Sequence, residues 1–170
     1  MKGKRLSNAA VVLFCKKEEK QFLQSEVKLA RFLGLDKSEF LDNKFYRDNV
    51  FELLERAMSF LNNHLPIAAK IEEGKLQRTE IPAIPFKVLR EALVNAFCHR
   101  DYAMRSGNIS VAIYDDRVEI VSAGRLPSDI KVSDLAKQHE SYPRNKLIAE
   151  VFYMCCMIER WGRGTLDMIN

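Results

Sequence analysis

The sequence predicts an α+β fold, and three patterns carry this prediction. Residues 49–61 and 86–98 repeat apolar side chains at helical spacing, with charged side chains opposite them. Residues 109–113 and 117–121 alternate apolar and polar side chains on either side of Asp115-Asp116, which is typical of a β-hairpin. Residues 9–15 form a short apolar run. We interpret this run as a buried strand.

The remaining segments are assigned from alternation and from Gly and Pro punctuation. Val27 to Phe32 alternates and can pair with the strand at 9–15. Pro85 suits the first turn of the helix at 86–98. Extended or irregular chain is expected at 34–45, at 67–81 with a turn at 73–74, at 122–127, and at 131–140, which is either a loop or a short helix. Further helical structure is expected at 145–157 and, after a turn at 161–164, from 165 onward.

Charge and cysteine usage limit the class of protein. The first twenty residues hold six of the 27 basic and two of the 23 acidic side chains, which leaves 21 of each sign in residues 21–170. The body therefore lacks the bulk positive excess that grips nucleic acid, although the basic start fits either a DNA-facing arm or a solvated terminus. The four cysteines form no C-x-x-C pair, so we expect buried, reduced thiols.

The sequence also indicates where the protein is found. No apolar run is long enough to cross a bilayer, and the short run after the basic start is unsuited to a signal peptide. We therefore expect a cytoplasmic protein without a membrane partner.

The most informative stretch is the helix from Arg90 to Tyr102. Glu91, Asn95 and His99 are spaced i, i+4 and i+8, so they form a single polar row along one face. A carboxylate, an amide oxygen and an imidazole in a row are suited to holding a hydrated cation and a water. The alternative is a solvated polar stripe without function.

Several motifs together resemble a known family. The segments 90–102, 114–127, 141–149 and 158–165 are similar to bacterial and archaeal proteins described as RecG-related helicases or transcriptional regulators, and residues 6–14 resemble the segment that precedes their ATPase part. In that family a divergent ATPase domain resembles the GHKL (Bergerat) fold of gyrase, histidine kinases and MutL. The resemblance implies a two-layer α/β sandwich with a mixed, mainly antiparallel sheet, GHKL-like in its C-terminal half.

The first GHKL motif is Glu-x-x-x-Asn on a helix, and Glu91 and Asn95 match it. By this resemblance Glu91 would polarise the attacking water as the catalytic residue, and Asn95 would ligate Mg²⁺. Arg100 or His99 could then contact phosphate. Without such a site, His99 interacts with the helix dipole, Asp101 makes a turn and Tyr102 packs.

The second GHKL motif is Asp-x-Gly-x-Gly after a strand, where the Asp receives the adenine amino group. Gly124 matches a motif glycine, whereas Ser122 replaces the Asp and Leu126 replaces the second glycine. A hydroxyl accepts a hydrogen bond more weakly than a carboxylate does. Ser122 and Gly124 therefore stand either as adenine-binding residues or as an ordinary turn that ends the hairpin.

The third motif is a glycine turn that opens a helix. Gly162, Arg163, Gly164 and Thr165 fit a phosphate-binding turn, because glycines allow close backbone approach and the helix start presents free N–H groups. The other interpretation is a sharp turn between helices. In the GHKL layout the region around Arg144 would be the lid, which makes Arg144 a candidate phosphate contact. Asn145 is suited to begin a helix.

These observations give two main hypotheses. The first is an ATP- and Mg²⁺-binding domain at 81–170, incomplete at its C-terminus, with weak ATPase activity in a DNA-associated regulator. Residues 1–80 would then be a strand-strand-helix segment packing on this core. The second is a non-catalytic scaffold or dimerisation module with a degenerate nucleotide site. We expect DNA to be contacted through domains outside this chain and homo-oligomers to be compatible with either hypothesis. No P-loop occurs, so a helicase motor is unsupported.

Overall fold

The computed structural model describes residues 6–15, 24–71, 78–126 and 142–158. The elements within these ranges are α1 (Asn8–Phe14), β1 (Glu26–Phe32), β2 (Phe40–Arg47), α2 (Val50–His64), β3 (Ile67–Ile71), β4 (Arg78–Pro82), α3 (Phe86–His99), β5 (Ile109–Ile113), β6 (Val118–Ser122) and α4 (Lys146–Met154). The turn predicted at 73–74, the segment 131–140 and residues 161–170 lie outside the described residues.

The main sheet has four strands in the order β2-β1-β5-β6. β1 pairs antiparallel with β2 and parallel with β5, and β5 pairs antiparallel with β6. The sheet is therefore mixed and mainly antiparallel, and the predicted α+β, two-layer α/β sandwich is confirmed. β3 and β4 form a separate two-stranded antiparallel sheet.

One face of the main sheet packs against the helices. Alternate residues of the central strands β1 and β5 are buried against the helices. The residues between them therefore lie on the other face of the sheet. The apolar stripes of α2 and α3 cover the buried set. The core includes Val27, Leu29, Leu53, Leu61, Leu89, Leu93, Phe97, Ile109, Val111 and Ile113. The predicted core face of α3 is thus confirmed.

Local sequence explains where α2 begins and ends. The Asn49 side chain accepts hydrogen bonds from the backbone N–H groups of Phe51 and Glu52, each at 3.1 Å, which satisfies two otherwise unpaired donors. The helix ends at His64, two residues before Pro66. Pro85 lies immediately before α3 rather than within its first turn.

Two predicted assignments are wrong. Residues 8–14 form a helix rather than a strand, because Ser7 caps the N–H of Ala10 at 3.2 Å and only Val12 and Leu13 are buried. The predicted loop at 34–45 contains most of β2, which pairs with β1 on both sides of a register shift at Leu41. β1 therefore pairs with β2 and β5 instead of with residues 9–15.

The end of α4 also differs from the sequence prediction. The helix stops at Met154, where Cys156 adopts a positive φ of 56° and the N–H of Met157 donates to the carbonyl of Phe152 at 2.8 Å. This is the closing turn usually made with glycine. All four cysteines are free, but only Cys98 is buried as predicted, while Cys15 is half-buried and Cys155 and Cys156 are exposed.

A membrane crossing requires a helix that is both long and apolar. Among the helices in the described ranges, none combines the two properties.

Candidate functional site

The polar row of α3 is half-buried beside a buried apolar face. Glu91, Asn95 and His99 are each partly exposed, whereas Leu93 and Phe97 between them are buried. The side-chain amide of Asn95 donates from Nδ2 to Oε1 of Glu91 at 3.3 Å. Because the amide group is planar, this contact directs Oδ1 of Asn95 away from the carboxylate. A carboxylate and an oriented amide oxygen thus lie side by side.

The end of β6 lies against the same helix. Ser122 donates from Oγ to the carbonyl oxygen of Ala96 at 2.8 Å, and the N–H of Asp101 donates to the carbonyl of Ala123 at 2.7 Å. The Ser122 hydroxyl uses its only proton in this contact, so its oxygen keeps lone pairs that can accept a hydrogen bond. The oxygen of Ser122 can therefore accept a hydrogen bond, and it contacts Ala96, the residue that follows Asn95 in α3.

The close contact between the end of β6 and the end of α3 favours glycine at position 124. Its φ is +156°, and a Cβ placed there would lie 3.3 Å from the carbonyl oxygen of His99 and 3.4 Å from the backbone nitrogen of Asp101. The contact with the carbonyl oxygen is tighter than side chains normally make, and the positive φ adds strain for any side chain at this position. The glycine thus lets the chain after β6 approach the C-terminal end of α3 closely.

Arg144 lies at the same end of α3. Its Nη2 donates to the carbonyl of Arg125 at 2.8 Å, and its Nη1 lies 3.5 Å from Oδ2 of Asp101. Burial, together with the positive charge of Arg144, lowers the pKa of His99. Arg144 therefore ties together the segments that follow α3 and β6 while its guanidinium remains partly exposed.

Arg100 lies inside the protein. It is fully buried, with Nη2 donating to the carbonyl of Gly107, Nη1 donating to the carbonyl of Asp101 at 3.4 Å, and its guanidinium 4.7 Å from the ring centre of Tyr102. Burial lowers its pKa. Burial and these contacts favour a structural role for Arg100, in which Nη1 and Nη2 hold the loop between α3 and β5, over the predicted phosphate contact.

Sequence reasoning missed the role of Asn145. It precedes α4 as expected, but its side chain caps no N–H of α4. Instead, Nδ2 donates to the carbonyls of Cys98 at 3.0 Å and Arg100 at 2.7 Å, and so closes the end of α3. The only sequence signal was an asparagine at a helix boundary, which does not reveal a partner so distant in sequence.

The structure therefore gathers several candidate residues around α3. Ser122, Gly124 and Arg144 meet its C-terminal half, and Glu91 and Asn95 lie on its polar row. Gly162, Arg163, Gly164 and Thr165 lie outside the described residues. A separate polar cleft of about 530 Å³ lies between β2 and α2, and its walls include Asp42, Lys44, Arg56 and His64. None of the candidate residues lines that cleft.

The side-chain oxygens on α3 are too few to hold Mg²⁺ alone, so a bound ligand would have to supply further oxygen atoms. In the described part of the chain, no group of three or more His, Cys, Asp or Glu side chains is placed to hold a metal ion. Mg²⁺ is commonly held by one or two protein oxygens together with substrate phosphates and water. Oδ1 of Asn95 can supply one such oxygen, and the other ligands would come from phosphate and water.

Two comparisons with known proteins agree with this architecture. Residues 106–170 match the family described as "Putative ATP-dependent DNA helicase recG C-terminal". The matched segment includes β5, β6 and α4, and is thus similar to an ATPase-like region related to RecG. No curated protein matches the chain.

A solved structure shares the fold. The DIP2311 protein from Corynebacterium diphtheriae superposes with a TM-score of 0.75 at 22% identity, over 94% of this chain and 31% of that protein. This chain therefore spans about a third of the length of that protein. At this identity the likeness concerns the fold alone.

Proposed function

We propose that the chain contains an ATP-binding domain that uses Mg²⁺ and has weak ATPase activity. The observation that carries the proposal is the contact of Asn95 with Glu91 on α3, next to the end of β6. The similarity of residues 106–170 to the RecG C-terminal family supports a nucleotide as the ligand. The resemblance of Glu91-x-x-x-Asn95 to the first GHKL motif supports the same assignment.

The roles of Asn95, Glu91 and Ser122 are consistent with their contacts, and those of residues 162–165 come from the resemblance alone. Asn95 would offer Oδ1 to Mg²⁺, which when bound neutralises charge on the phosphates. Glu91 would accept a proton from the attacking water or orient that water. Ser122 would accept a hydrogen bond from the adenine amino group, since its proton is already donated to Ala96. Gly162, Gly164 and their neighbours Arg163 and Thr165 would complete the phosphate contacts.

A thermal-shift experiment tests nucleotide binding. Saturation at about 100 times the Kd should stabilise the native state by about 2.7 kcal/mol, which raises the Tm of a chain of this size by about 5–10 °C. Asn95→Ala should abolish the shift with Mg²⁺-ATP. Asn62→Ala, which removes an exposed asparagine from α2, is the matched control and should keep it. No shift at millimolar ATP in the unaltered protein would refute the proposal.

Hydrolysis is tested separately from binding. Glu91→Gln keeps the shape and the contact with Asn95 but removes the basic carboxylate, so phosphate release should fall about 100-fold or more while the thermal shift remains. Glu55→Gln, an exposed position on α2, is the matched control. Equal phosphate release from Glu91→Gln and the unaltered protein would remove Glu91 from the catalytic role.

A second function is favoured by one observation. Both Ser122 and Arg144 already make contacts within the protein, as a scaffold with a degenerate site would require. In that case, nucleotide would give no thermal shift. The same measurement therefore separates an ATP-binding domain from a non-catalytic module.

We also propose that the domain belongs to a DNA-associated regulator. Residues 106–170 are similar to a family whose description names a DNA helicase, which supports the association with DNA. The balanced charge of residues 21–170 favours DNA contact through other domains. Binding of this chain alone to duplex DNA should therefore be weak. A tight complex whose affinity falls steeply with salt would contradict that expectation.

A further inference from the structure

The edge strand β2 presents an uncovered pairing surface. It is the outermost strand of the main sheet, and no described strand pairs with its outer side. Phe40, Leu41 and Phe45 are exposed by 54%, 54% and 50%. An edge strand with unpaired backbone groups and exposed apolar side chains is a template for another strand.

The hydrogen bonds of β2 show which residues can pair outward. The N–H of Asp48 donates to the carbonyl of Ser25 at 3.3 Å, immediately before the pair Glu26 and Arg47. Antiparallel ladders alternate between bonded and non-bonded pairs. Asp42, Lys44 and Tyr46 therefore bond to β1, and the backbone groups of Asn43, Phe45 and Arg47 point away from it.

This alternation restricts how β2 can pair with another β2. When β2 pairs antiparallel with a second β2 about a two-fold axis, residues whose backbone groups point outward must face residues of the same kind. Each allowed register therefore has the axis through one residue, and the next register is reached by moving the axis to the adjacent residue. An axis at Asn43 places Asp42 opposite Lys44 of the second copy and Lys44 opposite its Asp42. An axis at Asp42 or at Lys44 places identical charges opposite each other, and one at Phe45 places Asp42 opposite Asp48.

We propose that the chain forms a homodimer in which β2 pairs antiparallel with β2 of a second copy about an axis through Asn43. The main sheets then join into one eight-stranded sheet, since each has four strands. The two Asn43 residues form a hydrogen-bonded pair. The Asp42–Lys44 pairs on either side are of the non-bonded type, in which side chains approach more closely.

The charged residues at the centre of β2 favour this register. The regular alternation runs from Asp42 to Arg47, because the pairing with β1 shifts at Leu41. Asp42 and Lys44 already attract each other within one copy, with Nζ and Oδ1 3.0 Å apart. Because these opposite charges flank Asn43 symmetrically, the strand is complementary to its own reverse, which identifies a second copy as the partner.

Mixing two charge-reversal variants tests the register. Lys44→Asp places two carboxylates opposite each other on both sides of the axis, and Asp42→Lys places two ammonium groups there, so each variant alone should dimerise about tenfold more weakly or worse. Mixed together, the two variants face each other with opposite charges at both positions and should form a heterodimer. Analytical ultracentrifugation measures the masses, and Lys146→Asp on α4 is the control that should still dimerise.

The outcomes decide the proposal. A monomeric unaltered protein, dimers of either single variant at unaltered strength, or a mixture that stays monomeric would each overturn it. If circular dichroism shows that a charge variant does not fold, Asn43→Pro decides instead. This change removes an outward N–H that β1 does not use, so a folded monomer supports the proposal and a persistent dimer refutes it.

Discussion

The side-chain amide of Asn145 donates to the carbonyl oxygen of Arg100 at 2.7 Å, across 45 positions of sequence. It also donates to Cys98 at 3.0 Å. One side chain thus satisfies two carbonyls that the end of α3 leaves without helical partners. The beginning of α4 is thereby fixed to the end of α3, beside the candidate site.

Removing this amide should destabilise the protein. Asn145→Ala removes the side-chain donor from the carbonyl of Arg100 and leaves the carbonyl of Cys98 with only the backbone N–H of residue 145, and we expect the free energy of unfolding to fall by about 1–3 kcal/mol. Urea unfolding followed by circular dichroism measures the change. Asn62→Ala should change the stability by less than about 0.5 kcal/mol. An equal effect of both variants would show that the capping contacts contribute nothing.

Gly124 and Gly34 provide a matched pair for backbone strain. Both have positive φ, at +156° and +77°, but a Cβ at Gly34 meets no atom within 4 Å, whereas one at Gly124 lies 3.3 Å from the carbonyl of His99. Gly34→Ala should therefore cost about 1 kcal/mol from conformation alone. Gly124→Ala should cost about 2–3 kcal/mol, since steric crowding is added. A smaller loss at Gly124 than at Gly34 in urea unfolding would contradict the close approach.

Stability should depend on pH through His99. Burial and the charge of Arg144 lower its pKa below the ordinary 6.5, so the unfolded chain takes up this proton more readily than the native protein. The free energy of unfolding should accordingly fall as the pH drops below about 6.5 and through the lowered native pKa. Urea unfolding at several pH values should show a shallower slope for His99→Gln. An unchanged slope in His99→Gln would exclude His99 as the source of this pH dependence.

The cysteines should differ in reactivity. Burial, with a smaller contribution from Glu91, raises the pKa of the Cys98 thiol to about 12, whereas Cys155 and Cys156 are exposed. Because the thiolate is the reactive form, iodoacetamide should label Cys155 and Cys156 in the native protein and Cys98 only after unfolding. Mass spectrometry of peptides identifies the labelled sites. Early labelling of Cys98 would show that α3 is less well packed than described.

Sequence periodicity predicted the elements that are amphipathic by themselves. α2 and α3 each carry an apolar stripe, and the hairpin of β5 and β6 alternates around Asp115-Asp116, so local patterns determine them. The apolar run at 8–14 is too short for its period to distinguish a helix from a strand, and the cap at Ser7 decides for the helix. β2 was missed because an edge strand with Asp42, Asn43 and Lys44 at its centre resembles a loop.

The site was predictable only where it lies on one element. The spacing of Glu91 and Asn95 along α3 places them side by side whatever the surrounding fold. The contact between Ser122 and Ala96 depends on where β6 meets α3, and the cap by Asn145 depends on where α4 begins. Pairings of this kind join segments far apart in sequence, so no local pattern encodes them.

The parallel pairing of β1 with β5 has a consequence for how the chain reaches its native state. Leu29 is a direct partner of Val111, so the centre of the sheet forms only after some eighty intervening residues have been brought together. Such topology is associated with slow folding. A polypeptide truncated to residues 81–170 would lack β1 and present β5 as a bare, apolar border, and we expect it to aggregate during expression.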